Sequence, residues 1–356
     1  MRIFKTAAII IAMLTIMIGV LSEDAYGYTV KGLVNYFTYL DDDGEVTIMG
    51  YYGSENAVIP SEIEGMPVTA INDYAFQGNK DIKTIEIPDS VQYIGKGAFS
   101  GCTYLTSVKI PDGVTSIGLK TFEYCTSLTS VEIPDSVTSI DWWAFRHCTS
   151  LGEIDIPDSV TFFGDFAFLN CRSLETVKLP DGITTLSFGM FCECGSLESV
   201  EIPDSVTEIE GGAFERCRSL KTVKIPDSVT SIGRYAFSAC TYLKSVEIPD
   251  GVASIENNTF SDCKYLESIK LPDSIKSIGE QVFVGCDSLR SIMIPQGLHV
   301  PDNAIPQTTD KVIYREDENG NVTIIETIKG NAPNNSKNTD VDISSGAGAF
   351  VSSDMI

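Results

Sequence analysis

The sequence predicts a β-rich solenoid of 23-residue coils, and three columns of residues predict it. Ten of the fifteen prolines stand at 88, 111, 134, 157, 180, 203, 226, 249, 272 and 295. Ten phenylalanines from Phe76 to Phe283 and nine cysteines from Cys102 to Cys286 keep the same 23-residue period. A unit of this length cannot close a core alone, but stacked units bury each other's apolar faces. With parallel strands ~4.8 Å apart, about ten coils make a rod on the order of 50 Å long.

The elements follow in chain order. Arg2 and Lys5, the uncharged run from Ala7 to Leu21 and the small residues of Ala25-Tyr26-Gly27 predict a secretory signal peptide over residues 1–27. No later run is long and apolar enough to cross a bilayer. Residues 28–58 read as a capping hairpin that turns at Gly44, because a bare strand edge invites aggregation. The solenoid spans 59–295, its first coil expanded, since Pro60 and Pro88 are 28 residues apart. In each coil, alternation as in Ser107-Val108-Lys109-Ile110 predicts a half-buried parallel strand. Pro111-Asp112-Gly113 then bends the chain, and Val114 and Ile117 return apolar groups to the interior. Residues 296–330 read as a second cap, with a turn at Asn319-Gly320. Residues 331–356, rich in Asn, Ser, Gly and Asp, read as disordered.

Charge excludes some partners. Forty-nine acidic residues against twenty-five basic give a net charge of −24, which disfavours nucleic acid and anionic membrane surfaces. Two histidines leave little material for His-based catalysis or a His-rich metal site. No cofactor is expected.

The recurring segment L-x-x-V-x-I-P, followed by V-x-x-I-G-x-x-A-F-x-x-C, resembles the BspA-like leucine-rich repeats of bacterial and protist surface proteins. It recurs across residues 59–295. The resemblance implies a secreted or surface-displayed interaction module, and it carries no catalytic residues.

Four constellations could carry chemistry. The cysteine column reads as buried, reduced thiols that pack as small apolar residues, with adjacent disulfides or metal binding as rival readings. The aspartates that follow each proline, from Asp89 to Asp273, read as hydrated turn residues; a calcium edge is the rival. Before each I-P, charges alternate from Glu86 and Lys109 to Lys270, and in a parallel stack they should pair with their neighbours. That alternation fails at Glu132 and Asp155, where Glu153 also interrupts a Ser/Thr column, leaving an acidic break as a candidate binding feature.

The fourth constellation is aromatic. Trp142, Trp143, Phe166 and Phe188 occupy variable positions where other coils place Lys, Gly, Arg, Glu or Asn, and Phe162 replaces the usual Ser. Consecutive coils would align them as an exposed patch able to bind a protein or a glycan, unless the rings fold down over a thin part of the solenoid. The expected function is that of an exported, non-enzymatic binding or adhesion module. A structural spacer and a carboxylate-dependent glycan-active enzyme are the contrasting readings.

Overall fold

The 23-residue period becomes two short parallel strands and a run of turns per coil. A computed structural model of the chain describes residues 22–23, 29–30, 32–316 and 321–331. Apart from Ser22 and Glu23 the expected signal peptide lies outside the described residues, as does the expected tail beyond Asn331. The described chain is a parallel-strand β-solenoid of about 12 turns without helices.

The first strand of a coil is the predicted one. Ser107–Lys109 and Ser130–Glu132 pair in a register of one repeat, Val108 against Val131 and Lys109 against Glu132. The central residue is buried and its neighbours face outward. A second strand follows the proline turn, as in Ser116–Ile117, Ser139–Ile140 and Phe162–Phe163, which stack into a separate parallel sheet. Sequence alternation does not show it, because two residues are too few to establish a period.

Three columns hold the interior. The phenylalanine rings stack nearly parallel, with centroids 5.4 Å apart for Phe122 on Phe145 and 5.5 Å for Phe168 on Phe191. All nine cysteines of the column are buried, and each thiol donates a hydrogen bond to a phenylalanine carbonyl 26 residues earlier, as Cys148 Sγ does to Phe122 O at 3.2 Å. Serines after Pro-Asp do the same for a third column, Ser136 Oγ donating to Val114 O at 2.6 Å. The phenylalanine carbonyls already accept a backbone bond within their own turn, as Phe122 O does from Cys125 N at 3.1 Å, so each thiol adds a second donor that ties one coil to the next.

The cysteines are therefore free thiols with a structural task. Burial pushes their pKa up, to about 12 at Cys102 and Cys171, so essentially no thiolate forms near neutrality. A thiol reagent such as DTNB is expected to label almost none of the ten cysteines in the native protein and all ten in denaturant. Prompt native labelling of several would contradict the packing.

Between the second strand and the cysteine, every coil places two residues in the left-handed region. Lys120, Trp143, Phe166 and Tyr235 form one such column, and Tyr124, His147, Asn170 and Glu193 the other. Left-handed backbone is costly for side chains that carry a Cβ. Here a ladder of inter-coil hydrogen bonds holds it, including Trp143 N to Asp165 O at 3.1 Å and Phe166 N to Phe188 O at 2.8 Å.

At the N-terminal end, Gly32–Val34, Phe37–Asp42 and Glu45–Tyr51 form an antiparallel meander whose last strand pairs in parallel with Met66–Ile71 of the first coil. At the other end, Ser291–Pro295 pairs with Asp310–Glu316, which in turn pairs with the antiparallel Val322–Ile328. A bulge beside Ile313 and Tyr314 twists that outer strand, one of the devices that blunt an exposed edge.

Candidate functional site

The repeat itself explains where the candidate aromatics stand. Phe162 lies in the second strand of its coil beside Ser139, and the buried Phe163 takes the place of Ile140 in the neighbouring coil. Trp142 follows the second strand one coil earlier. Its ring lies over Gly164, where a Cβ would come within 2.5 Å of the indole Cδ1. Phe166 covers Gly189 in the same way, and Phe188 covers Gly211. A glycine in the following coil thus gives each of these rings a floor.

The five rings are not equally available. Trp142 and Phe162 are each 50% exposed. Trp143, Phe166 and Phe188 are half-buried. Phe166 meets Phe188 edge-on at 5.2 Å, and the Lys120 ammonium lies 4.9 Å from the Trp143 ring centroid. The folded-down arrangement therefore describes three of the rings, while Trp142 and Phe162 remain open to a partner.

Carboxylates border this strip. Asp141 Oδ1 accepts a hydrogen bond from the Trp142 amide at 2.7 Å. The Glu210 carboxylate takes one from the Phe188 amide, with Asp165 and Glu208 close enough to repel it. Burial first, and those two charges after it, hold the Glu210 carboxyl above its ordinary 4.5.

Glu132, Glu153 and Asp155 lie elsewhere. All three are exposed, but they belong to the first-strand side of the coil, whereas Phe162 is in the second sheet. The structure does not bring them together with the aromatics. The first-strand ladder stops at Ser130–Glu132 and resumes at Thr176–Lys178, an interruption that recurs between Thr222–Lys224 and Ser268–Lys270 and so does not single out the acidic coil. The alternating charges do become cross-strand neighbours, Lys109 beside Glu132 and Lys178 beside Glu201, but among the described residues no ion pair closes between neighbours of the column from Glu86 to Lys270. Cross-coil pairs form elsewhere, as in Lys83–Glu55 at 2.6 Å and Lys221–Glu198 at 2.8 Å.

Sequence reasoning missed a polar edge next to the cysteine column. Tyr124 stacks on His147 at 4.5 Å, His147 Nδ1 bonds Asn170 Nδ2, and Arg172 Nε donates to Asn170 Oδ1 at 2.6 Å. Arg146 pairs with the buried Glu123 at 2.8 Å. Burial, with Arg146 next, pushes the His147 pKa below 6.5. The signal was present in the sequence as the run Tyr124, His147, Asn170, Glu193 and Arg216 at a position that the other coils fill with Gly or Ala, Asp262 excepted.

Among the described residues, no group of three or more His, Cys, Asp or Glu could hold a metal ion, and no helix is long and apolar enough to cross a membrane. A cavity of about 690 Å3 opens near the N-terminal coils beside Glu55 and Asp81, and Lys83 already neutralises Glu55.

Comparison with known proteins agrees with this architecture. The family described as BspA type leucine rich repeat region matches in six copies over residues 69–195 and 184–309. A leucine-rich repeat protein of Bacteroides ovatus is 27% identical, with 79% of this chain and 99% of that chain covered and a TM-score of 0.47. A leucine rich cell surface protein of Faecalibacterium prausnitzii is 26% identical over 81% of this chain and 96% of its own, with a TM-score of 0.45. The pneumococcal vaccine antigen PcpA is 18% identical over 81% and 93%, with a TM-score of 0.53, a likeness of fold. A search of curated proteins found no match. Leucine-rich repeat domains generally act as non-enzymatic scaffolds for protein interaction. With the matched repeats covering residues 69–309, and with the stacked phenylalanine and cysteine columns accounting for each repeat, the chain belongs to the BspA-type leucine-rich repeat family.

Proposed function

We propose that the chain is an exported binding module that engages the basic surface of another protein, in adhesion, through the strip from Trp142 to Phe188. The observation that carries this reading is the half exposure of Trp142 and Phe162 on successive coils, beside carboxylates. Large aromatics in reach of water are anchors for protein contact. A lysine or arginine arriving there gains the ring face and the carboxylates together. Lys120 over Trp143 is an example within the chain itself. The net charge of −24 steers basic partners toward the whole molecule. Export rests on the signal-peptide features of residues 1–27, and the surface proteins of the family agree with it.

Binding should also respond to pH. A cation beside Glu210 favours its ionised form, and that carboxyl titrates above 4.5. Affinity is therefore expected to rise with pH through that range.

The test is an array of extracellular-matrix proteins and glycans probed with the protein and with Trp142→Ala/Phe162→Ala. This pair is chosen because both rings are open, whereas Trp143 sits on left-handed backbone beneath Lys120. Saturable binding to basic proteins, reduced at least tenfold in the double variant, is expected. Retention of glycans alone, or unchanged affinity of the variant, would overturn the reading.

A further inference from the structure

A repeat protein supplies its own control, because a position that departs from the default in several adjacent coils is under a demand that the fold does not make. Just after the cysteine column two coils are small and neutral, Thr126, Ser127 and Thr129, then Thr149, Ser150 and Gly152, while Tyr104, Arg172, Glu175 and Glu198 are scattered departures in other coils. From Arg218 to Arg290 the departures become adjacent and mostly cationic. Tyr242 and Tyr265 replace the serine in consecutive coils, and Arg218, Lys221, Lys244, Lys264 and Arg290 appear around them. Glu267 and Asp287 are the opposing acids there, so this patch is cationic in a chain of net charge −24.

The structure makes this a continuous surface. The two tyrosine rings stack at 5.1 Å with planes 5° apart, and they are 50% and 48% exposed. Backbone hydrogen bonds hold the flanking residues one coil apart: Tyr242 N to Arg218 O at 3.2 Å, Lys244 N to Lys221 O at 3.3 Å and Ser288 N to Lys264 O at 3.0 Å. Lys221 is paired with Glu198. Arg218, Lys244, Lys264 and Arg290 form no ion pair among the described residues, although acids outnumber bases by about two to one.

The geometry points to a second binding surface, centred on Tyr242 and Tyr265, for a linear anionic polysaccharide. Tyrosine offers an apolar face for a sugar ring and a hydroxyl for its substituents. The coil rise of ~4.8 Å is close to the length of one pyranose ring, so a sugar chain running along the rod presents about one ring per coil. Its carboxylates or sulfates then meet the unpaired Lys and Arg side chains, whose charge-assisted hydrogen bonds are the stronger kind. A single-stranded nucleic acid fits less well. Its bases need a ring face to stack on, and the two rings already stack on each other, leaving no slot for a base. This surface is independent of the aromatic strip and has the opposite charge preference.

The experiment is calorimetric titration of the protein with polygalacturonate, which is carboxylated, and with heparin, which is sulfated. Neutral dextran and poly(U) are the comparison arms. Saturable binding of at least one acidic polysaccharide is expected, weakening as salt is added. Tyr242→Ala/Tyr265→Ala and Lys244→Gln/Lys264→Gln should each weaken it at least tenfold. Trp142→Ala/Phe162→Ala should leave it unchanged, which separates this surface from the proposed protein-binding strip. Both acidic polysaccharides failing to bind, binding that survives both Tyr and Lys variants or is lost in the Trp142/Phe162 variant, dextran binding equally well, or a preference for poly(U) would each overturn the inference. The tyrosine and lysine positions are exposed, so unchanged thermal stability of those variants is expected and rules out unfolding as the cause of a loss.

Discussion

Replacing Phe168 with alanine is expected to lower the unfolding free energy by about 3–5 kcal/mol, the usual cost of emptying a fully buried aromatic site. The ring is 0% exposed and lies between Phe145 at 5.4 Å and Phe191 at 5.5 Å. Its removal leaves a gap in a column that runs through the rod, and neighbouring coils cannot close it without breaking the hydrogen-bond ladder on either side. Phe283 supplies the control. It is equally buried but stacks on only one ring of the column, Phe260 at 5.8 Å. Phe283→Ala should therefore cost less, by about the 0.5–1.5 kcal/mol that an aromatic pair adds beyond burial. Urea denaturation followed by circular dichroism measures both. Equal costs would mean that burial alone, without stacking, sets the strength of the column.

A second large effect is expected at Gly164. A Cβ built there would stand 2.2 Å from the Trp142 backbone nitrogen and 2.5 Å from its ring, so no side-chain rotation relieves the clash. Gly164→Ala should cost about 1–3 kcal/mol by overpacking. It should also lift Trp142 off its floor, so a shift in tryptophan emission accompanies the loss of stability. At Gly118 the nearest atom to a Cβ is 3.6 Å away, so Gly118→Ala is expected to be mild. Similar costs at the two sites would show that close coil contact is not what selects glycine at this position.

These two residues illustrate what the sequence discloses. Phe168 is legible because an interior column must repeat with the coil, and 23-residue repetition of Phe, Cys and Pro is visible without structure. The second sheet was not legible: Ser139–Ile140 and its neighbours are two residues long, and nothing alternates over so short a span. The left-handed columns were hidden for another reason. Lys120, Trp143 and Tyr235 are unlikely residues for that backbone, which is imposed by inter-coil hydrogen bonds and not by local preference.

The candidate site was legible as a departure from the repeat, because Trp142 and Phe162 stand where the pattern calls for something else. Exposure was harder to read. Trp143 and Phe166 occupy the same column as each other and lie half covered, while Trp142, one residue away, stays open. Phe188 stands in the column of Trp142 with a glycine beneath it as well, yet it is half covered and meets Phe166 edge-on, so exposure depends on the neighbouring coil's rings and does not follow from residue type. The charge column from Glu86 to Lys270 places opposite charges in register, Glu201 beside Lys224 among them, while the cross-coil ion pairs close three residues upstream at Lys83–Glu55 and Lys221–Glu198.

The central claim, that a basic partner docks on the aromatic strip, has a built-in reporter. Trp142 and Trp143 are the chain's only two tryptophans, so all tryptophan emission comes from the strip. Titration with decalysine, at low and then at high salt, is the most direct test. A saturable change in tryptophan emission at low salt, suppressed by salt and lost in Phe162→Ala, is the predicted result. Binding of the peptide with no change in tryptophan emission would place the basic partner elsewhere on the rod and contradict the account.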